Sequence, residues 1–195
     1  QLNQREEYDV RRNSELPIID LDLVTNDFQL EWEHPEFLGL DGMVGFQVFT
    51  QNNDNNPGTR TTAFIPNYNS FRVSGFFVES LKSDKNTFEL GFRFDYENND
   101  VRGRELNQNL FTDNYNFANV TASLGYVRNI SAKTTFRTNL AMAWRTPNMA
   151  ELFSFGQHGF RTSFGLLRYY FDENEGGRVR TNRVNLLEES NVAPE

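Results

Sequence analysis

Period-two alternation of apolar and polar residues dominates the middle of the chain. Over 87–96, Phe88, Leu90, Phe92, Phe94 and Tyr96 fall on one face, and Glu89, Gly91, Arg93 and Asp95 on the other. That is a strand apolar on one side only. Residues 134–145 repeat the pattern, with Phe136, Leu140, Met142 and Trp144 opposite Arg137, Asn139, Ala141, Ala143 and Arg145. Between them, over 117–129, Val120, Ala122, Leu124 and Tyr126 alternate with Asn119, Thr121, Ser123 and Gly125. Three weaker strands come earlier. Residues 42–50 carry Val44, Phe46 and Val48 on one face. Residues 71–81 place Phe76 and Val78 opposite Gly75 and Glu79, with Phe77 and Val73 blurring the phase. Residues 17–33 change phase, from odd-numbered Ile19, Leu21 and Leu23 to even-numbered Phe28, Leu30 and Trp32. A β-bulge within 24–27 would reconcile the two halves; so would an upper half that stands clear of any apolar surroundings.

The connections alternate in length. Short ones cover 34–39, 82–86 and 130–133; long ones cover 51–63, 98–116 and everything after Arg145. Short turns at one end and long loops at the other are the mark of outer-membrane barrels. A soluble sandwich spreads its loop lengths over both ends. Aromatic placement agrees, with Trp32, Phe88, Tyr126 and Phe136 near the short-turn end and Tyr68, Tyr96, Phe117 and Trp144 near the other. Two such belts suit the two faces of a bilayer. The expected fold is therefore all-β, an antiparallel transmembrane β-barrel segment of about six strands. Six strands leave two open edges, whose unpaired backbone groups lipid does not tolerate. The expectation is a piece of a larger barrel.

Composition changes this picture little. The longest unbroken apolar run is 140–144, far short of the roughly 20 residues of a membrane helix. Mean hydropathy is -0.65, a value that barrel strands share with soluble proteins. Nineteen phenylalanines fit a lipid-facing surface as well as a core. A net charge of -8 without a basic stripe argues against nucleic acid as a partner. Cysteine is absent, so thiolate sites and disulfides are excluded. Residues 1–10 lack a signal-peptide pattern, so a leader has been removed or lies elsewhere.

Candidate chemistry is sparse. His34 and His158 are the only histidines, neither at metal-ligand spacing, and no nucleophile elbow or phosphate loop occurs. Neither a cofactor nor a metal nor a catalytic residue is expected. Asp172, Asn174 and Gly176 resemble a calcium loop, but Arg183 stands where Glu belongs, and a solvated acidic loop explains them better. Arg178, Arg180 and Arg183 form a basic cluster, expected to pair with Asp172, Glu173 and Glu175 rather than to contact an anionic ligand or lipopolysaccharide phosphate. Glu89, Arg93, Asp95, Arg137 and Arg145 would be costly facing lipid, about 2–4 kcal/mol for Arg at the midplane, and argue for a polar interior.

The stretch Trp144-Arg-Thr-Pro-Asn-Met-Ala-Glu-Leu-Phe-Ser-Phe-Gly-Gln-His-Gly159 resembles a signature of TonB-dependent outer-membrane receptors. There a barrel strand leads into Arg-x-Pro-Asn-x-x-Glu-Leu and then a Gly-x-His-Gly loop. Asn191-Val-Ala-Pro-Glu195 is similar to the family's Asn-Leu-x-Pro-Glu. Gln4-Arg-Glu-Glu-Tyr-Asp-Val-Arg-Arg12 and Ala63-Phe-Ile-Pro-Asn-Tyr68 are similar to segments of members from Bacteroidetes-like bacteria. The resemblance implies a barrel of about 22 strands with a plugged lumen in the Gram-negative outer membrane. It implies uptake of a scarce nutrient, by default a ferric siderophore, driven by the TonB complex through a plug that this chain does not contain. Lipid, lipopolysaccharide and a surface lipoprotein are further implied partners. Tyr68, Arg145, Glu151, His158 and Arg161 are the expected ligand contacts, although Arg145 and Glu151 serve equally as braces of their loop. Two alternatives stand beside this: a surface binding or adhesion barrel without transport, and an importer of glycans or peptides. A barrel hydrolase would need a rim cluster of Ser, His and acid that two scattered histidines do not supply.

Overall fold

In the computed structural model, residues 2–8, 15–105, 108–158 and 161–190 are described, without the side chains of 157, 158 and 161. Seven strands form one antiparallel meander: β1 (Leu2–Glu7), β2 (Ile19–Phe37), β3 (Leu40–Asn55), β4 (Asn67–Ser83), β5 (Asn86–Arg104), β6 (Leu110–Ser131) and β7 (Thr134–Met142). Each pairs with its sequence neighbours, and the sheet is not closed. After it come α1 (Met149–Phe153), the hairpin of β8 (Phe155–His158) and β9 (Arg161–Phe164), a 3-10 turn (Leu166–Arg168), and the hairpin of β10 (Tyr169–Asp172) and β11 (Gly177–Arg180).

Direct cross-strand partners share a face, so the register sorts every side chain. One row runs Trp32, Val44, Phe77, Phe92, Ala122, Met142, and the next runs Leu30, Phe46, Gly75, Phe94, Val120. Most of the large side chains in these rows are exposed: Leu30 is 62% exposed, Trp32 61% and Met142 57%. No soluble monomer of this size would leave so wide an apolar face in water. The opposite face carries Gln47, Ser74, Arg93, Asp95 and Asn119, joined by hydrogen bonds. The sheet is apolar outside and polar inside, as a barrel wall in lipid requires.

Depth is set by the same pattern. On β5 the outward apolar run extends from Phe88 to Tyr96. At about 3.4 Å per residue and a tilt near 40–45° it covers roughly 20 Å, close to the height of a barrel's apolar band. The band crosses the sheet diagonally. The row that is apolar at Leu90, Leu124 and Leu140 has reached Glu79, Gly42 and His34 on β4, β3 and β2. Tilted strands produce such a slope, because a hydrogen-bonded row then changes depth from strand to strand. Where the row becomes polar, His34 Nε2 and Glu79 Oε1 lie 2.9 Å apart.

Several expectations need correction. β1 is a seventh strand, paired with Ile19–Val24 and thus covering the edge expected on β2. No bulge interrupts 24–27: pairing of β2 with β3 is regular from Leu21↔Asn55 to His34↔Gly42 and slips only between His34 and Phe37. The upper half of β2 instead stands above the apolar band, where Asp20, Asp22 and Asn26 face outward. On β4 the outward face is the odd one, with Phe71, Val73, Phe77 and Leu81. Phe76 points inward because Gly45 leaves room beneath its ring, and the Arg93 guanidinium lies 5.5 Å from its centroid. The 98–116 segment is mostly strand, since β5 continues to Arg104 and β6 begins at Leu110. Amides zip its outward side: Asn98 donates to Asn114 and Asn116, and Asn114 to Asp100. β7 stops at Met142, not at 145.

The short turns contract to Leu38–Gly39, Asp84–Lys85 and Ala132–Lys133. Leu38 (φ 54°) and Gly39 (φ 79°) both adopt the left-handed region, the two-residue turn whose twist matches the flanking strands.

Leu90→Arg places a charge in the lipid band and is expected to cost about 2–4 kcal/mol in folding into bilayers. Asn139→Arg, on the inward face, is expected to cost less than about 1 kcal/mol. Denaturant titration in phospholipid vesicles compares the two; equal losses would contradict the assignment of faces.

Candidate functional site

Where β7 ends, the chain leaves the sheet and turns inward over the upper halves of β5 and β6. Asn119 Nδ2 donates to the Trp144 carbonyl at 3.0 Å, and the Trp144 ring stands 6.4 Å from Phe117. Beside Trp144 lies the buried core: Val101, Tyr115 and Phe117 from the sheet, Met149, Leu152 and Phe153 from α1, and Leu167. The Phe153 ring meets Tyr115 edge-on at 5.4 Å and stacks on Phe111 at 5.9 Å. This segment is a soluble-style core built above the membrane band. Val101, Tyr115 and Phe117 supply its floor because odd positions of β5 and β6 face inward. Tyr68 and Trp144 pack against the core and Phe117 is part of it, so none of the three belongs to an outer aromatic belt. Of the four expected upper-belt rings, only Tyr96 faces outward.

Polar bonds and one close backbone approach hold α1 to a defined orientation. Asn148 caps it, its side chain accepting the Glu151 N–H at 2.9 Å. The Glu151 carboxylate accepts the Asn148 N–H at 3.0 Å, closing a capping box. Arg145 then grips the same carboxylate through two nitrogens, at 2.8 and 2.6 Å. The Phe155 N–H donates to the Phe64 carbonyl at 3.0 Å, fastening the segment to the β3–β4 loop. Gly165 lies so close to α1 that a Cβ there would fall 2.3 Å from the Leu152 carbonyl oxygen.

Arg145 holds the Glu151 carboxyl below its usual pKa, with the Asn148 N–H assisting and partial burial opposing. Glu151 in turn raises the Arg145 guanidinium. The carboxylate's contribution is therefore fully present above the ordinary Glu range, about pH 4.3. It is lost as pH falls through the depressed folded value.

Among the described side chains, the expected ligand contacts are not gathered at one point. Arg145 and Glu151 share the wall of an open cleft of about 900 Å3, together with Trp144 and Phe64. Tyr68 is elsewhere, inward on β4, where its hydroxyl donates to Gln51 Oε1 at 2.8 Å. The backbones of His158 and Arg161 pair across the β8–β9 hairpin, while their side chains lie outside the described residues. The basic cluster does not pair as expected. Arg183 bonds Glu189 at 3.3 Å, and the Arg180 guanidinium stands 4.7 Å from the Phe164 ring centroid. Asp172 accepts the Asn174 N–H at 2.9 Å and so shapes its own turn. Among the described residues no group of three His, Cys, Asp or Glu is placed to hold a metal.

Below this mouth the inward wall carries a polar ladder. Arg93 donates to Asp95 at 2.8 and 3.1 Å, to Gln47 at 2.7 Å and to Ser74 at 2.8 Å. Ser74 donates to Asp95 at 2.5 Å. A rung higher, Ser70 donates to Asn99, Asn99 donates to Glu97 at 3.1 Å, and Arg72 lies 3.7 Å from Glu97. Charges with this many partners are at home in a wet or protein-filled interior.

Asn148→Ala removes the cap and is expected to cost about 1 kcal/mol locally, roughly a fivefold rise in amide exchange over 148–153. Hydrogen exchange with mass spectrometry reads it; unchanged protection would show that packing alone orders α1. The same segment is expected to loosen as pH drops below about 4.

A family model described as TonB dependent receptor-like, beta-barrel matches residues 3–188. No curated protein and no solved structure gives a match. Receptors of that kind are outer-membrane transporters of Gram-negative bacteria rather than enzymes. With the match running from β1 to beyond β11, on a sheet apolar outside and polar inside, the chain belongs to the family of TonB-dependent receptor β-barrels.

Proposed function

We propose that this chain is part of the barrel wall of an active importer. In this reading the open sheet is completed by further strands to about 22, and the lumen holds a plug on which the TonB complex pulls. The observation that carries it is the inward polar ladder around Arg93 and Glu97, set behind a bare apolar outer face. Such a wall suits a lumen filled by a polar plug better than a surface that only displays loops.

The default cargo is a ferric siderophore, with haem, cobalamin and glycans or peptides as the other members of the class. Tyr68, Arg145, Glu151, His158 and Arg161 are the proposed contacts, and the cleft beside Arg145 and Glu151 has the size of sites for small molecules. A surface lipoprotein and lipopolysaccharide are proposed partners at the rim.

Uptake of radiolabelled ferric siderophore, haem, cobalamin and oligosaccharide is to be compared in energised cells with and without the gene. The expected outcome is loss of one cargo's uptake in the deletion strain, reproduced by a proton uncoupler in the parent. Unchanged uptake of all four would overturn the proposal.

A further inference from the structure

A second cavity at the mouth, of about 710 Å3, opens between the β3–β4 loop and the top of the β5–β6 hairpin. Arg60, Arg102, Arg104 and Arg168 all contribute to its wall, and no acidic side chain does among the described residues. On a chain of net charge -8 this is a local reversal of sign. Arg104 spends one donor on the Gln108 carbonyl at 3.2 Å, and Gln108 reaches across to Thr62 at 3.1 Å, tying the loop and hairpin together.

Arg168 is the unusual member. It ends the 3-10 turn and is 3% exposed. Its Nε and Nη1 are buried and have no hydrogen-bond partner. The Phe155 ring centroid lies 5.6 Å from its guanidinium carbon and offers no acceptor in the plane of the fork. Glu105 is the acid whose field reaches it. That carboxylate accepts the Val184 N–H at 3.0 Å and makes no hydrogen bond to Arg168. A buried cation with idle donors is costly, and removing that cost requires an acceptor. Arg168 is part of the wall of the cavity, the neighbouring space from which an acceptor can reach its guanidinium after a small side-chain adjustment.

We propose that this cavity binds a small oxyanion, a carboxylate or phosphate group on a soluble molecule, with Arg168 as the buried anchor and Arg102 and Arg104 as outer grips. The planar guanidinium fork matches two oxygens of such a group. The volume accommodates a molecule of ordinary ligand size around it. Nothing in this assignment requires import, so it stands or falls separately from the proposed transport.

The test is calorimetric titration of the full-length protein, in neutral detergent free of lipopolysaccharide, with citrate, inorganic phosphate and, as a neutral control, glucose. Saturable binding of citrate or phosphate and none of glucose is expected, weakening as salt is raised. Arg102→Ala with Arg104→Ala is expected to weaken it about tenfold, the loss of charge-assisted hydrogen bonds at a rim. Arg168→Lys keeps the charge but not the fork, and is expected to weaken it at least tenfold, with circular dichroism unchanged. No binding of either anion would overturn the proposal, as would binding that these variants leave unaltered. Heat released only by added lipopolysaccharide would also overturn it, assigning the arginines to a lipid headgroup.

Discussion

Lipid offers no hydrogen bonds, so each backbone N–H and C=O inside it must find a partner in the protein. Everything else in this chain follows from meeting that demand with strands. Edge-to-edge pairing fixes the register, and register fixes which side chains share a face. The rows through Trp32–Met142 and Leu30–Val120 then become a continuous apolar surface. The same registry, one residue out of step, lines up Gln47, Ser74, Arg93 and Asp95 on the other side, where they satisfy one another. A slip of one residue on any strand would exchange the two faces, burying the Arg93 ladder in lipid. Register is therefore strongly specified by the surroundings.

The strands are longer than the membrane needs. β5 and β6 rise past the apolar band, and there the physics changes back to that of a water-soluble protein. Outward positions become amides that zip together, as at Asn98, Asn114 and Asn116. Inward positions become a hydrophobic floor for α1 and the two small hairpins. The result joins a lipid-facing wall to a rigid mouth. A capped helix and a two-point Arg145–Glu151 grip define one cleft, and an arginine-walled cavity lies beside the β3–β4 loop.

The wall is legible in the sequence where the alternation is strict. Phe88 through Tyr96 and Val120 through Tyr126 alternate cleanly, and their faces were assigned correctly. Legibility failed where the alternation carries a different meaning. Above the band both faces of 98–116 are polar or mixed, so turn-like amides concealed two strand halves. On β4 a glycine on the neighbouring strand admits Phe76 inward, which the local pattern cannot reveal. Trp144 continues the even-numbered series of β7 in sequence but has already left the sheet. At the mouth, Asn148 and Glu151 could have been recognised as a capping box from their spacing. Arg168 could not, because its isolation from acceptors arises from packing between segments distant in the chain.

Spin labels placed singly at residues 88–97 of β5, in the full-length protein reconstituted in phospholipid bilayers, test the division of faces most directly. Even positions are predicted to be accessible to dissolved oxygen and shielded from a water-soluble nickel chelate, with oxygen access greatest near Phe92. Odd positions are predicted to show the reverse or no access to either. Uniform accessibility along the strand, or oxygen access at Glu89, Arg93 and Asp95 instead, would contradict a lipid-facing wall.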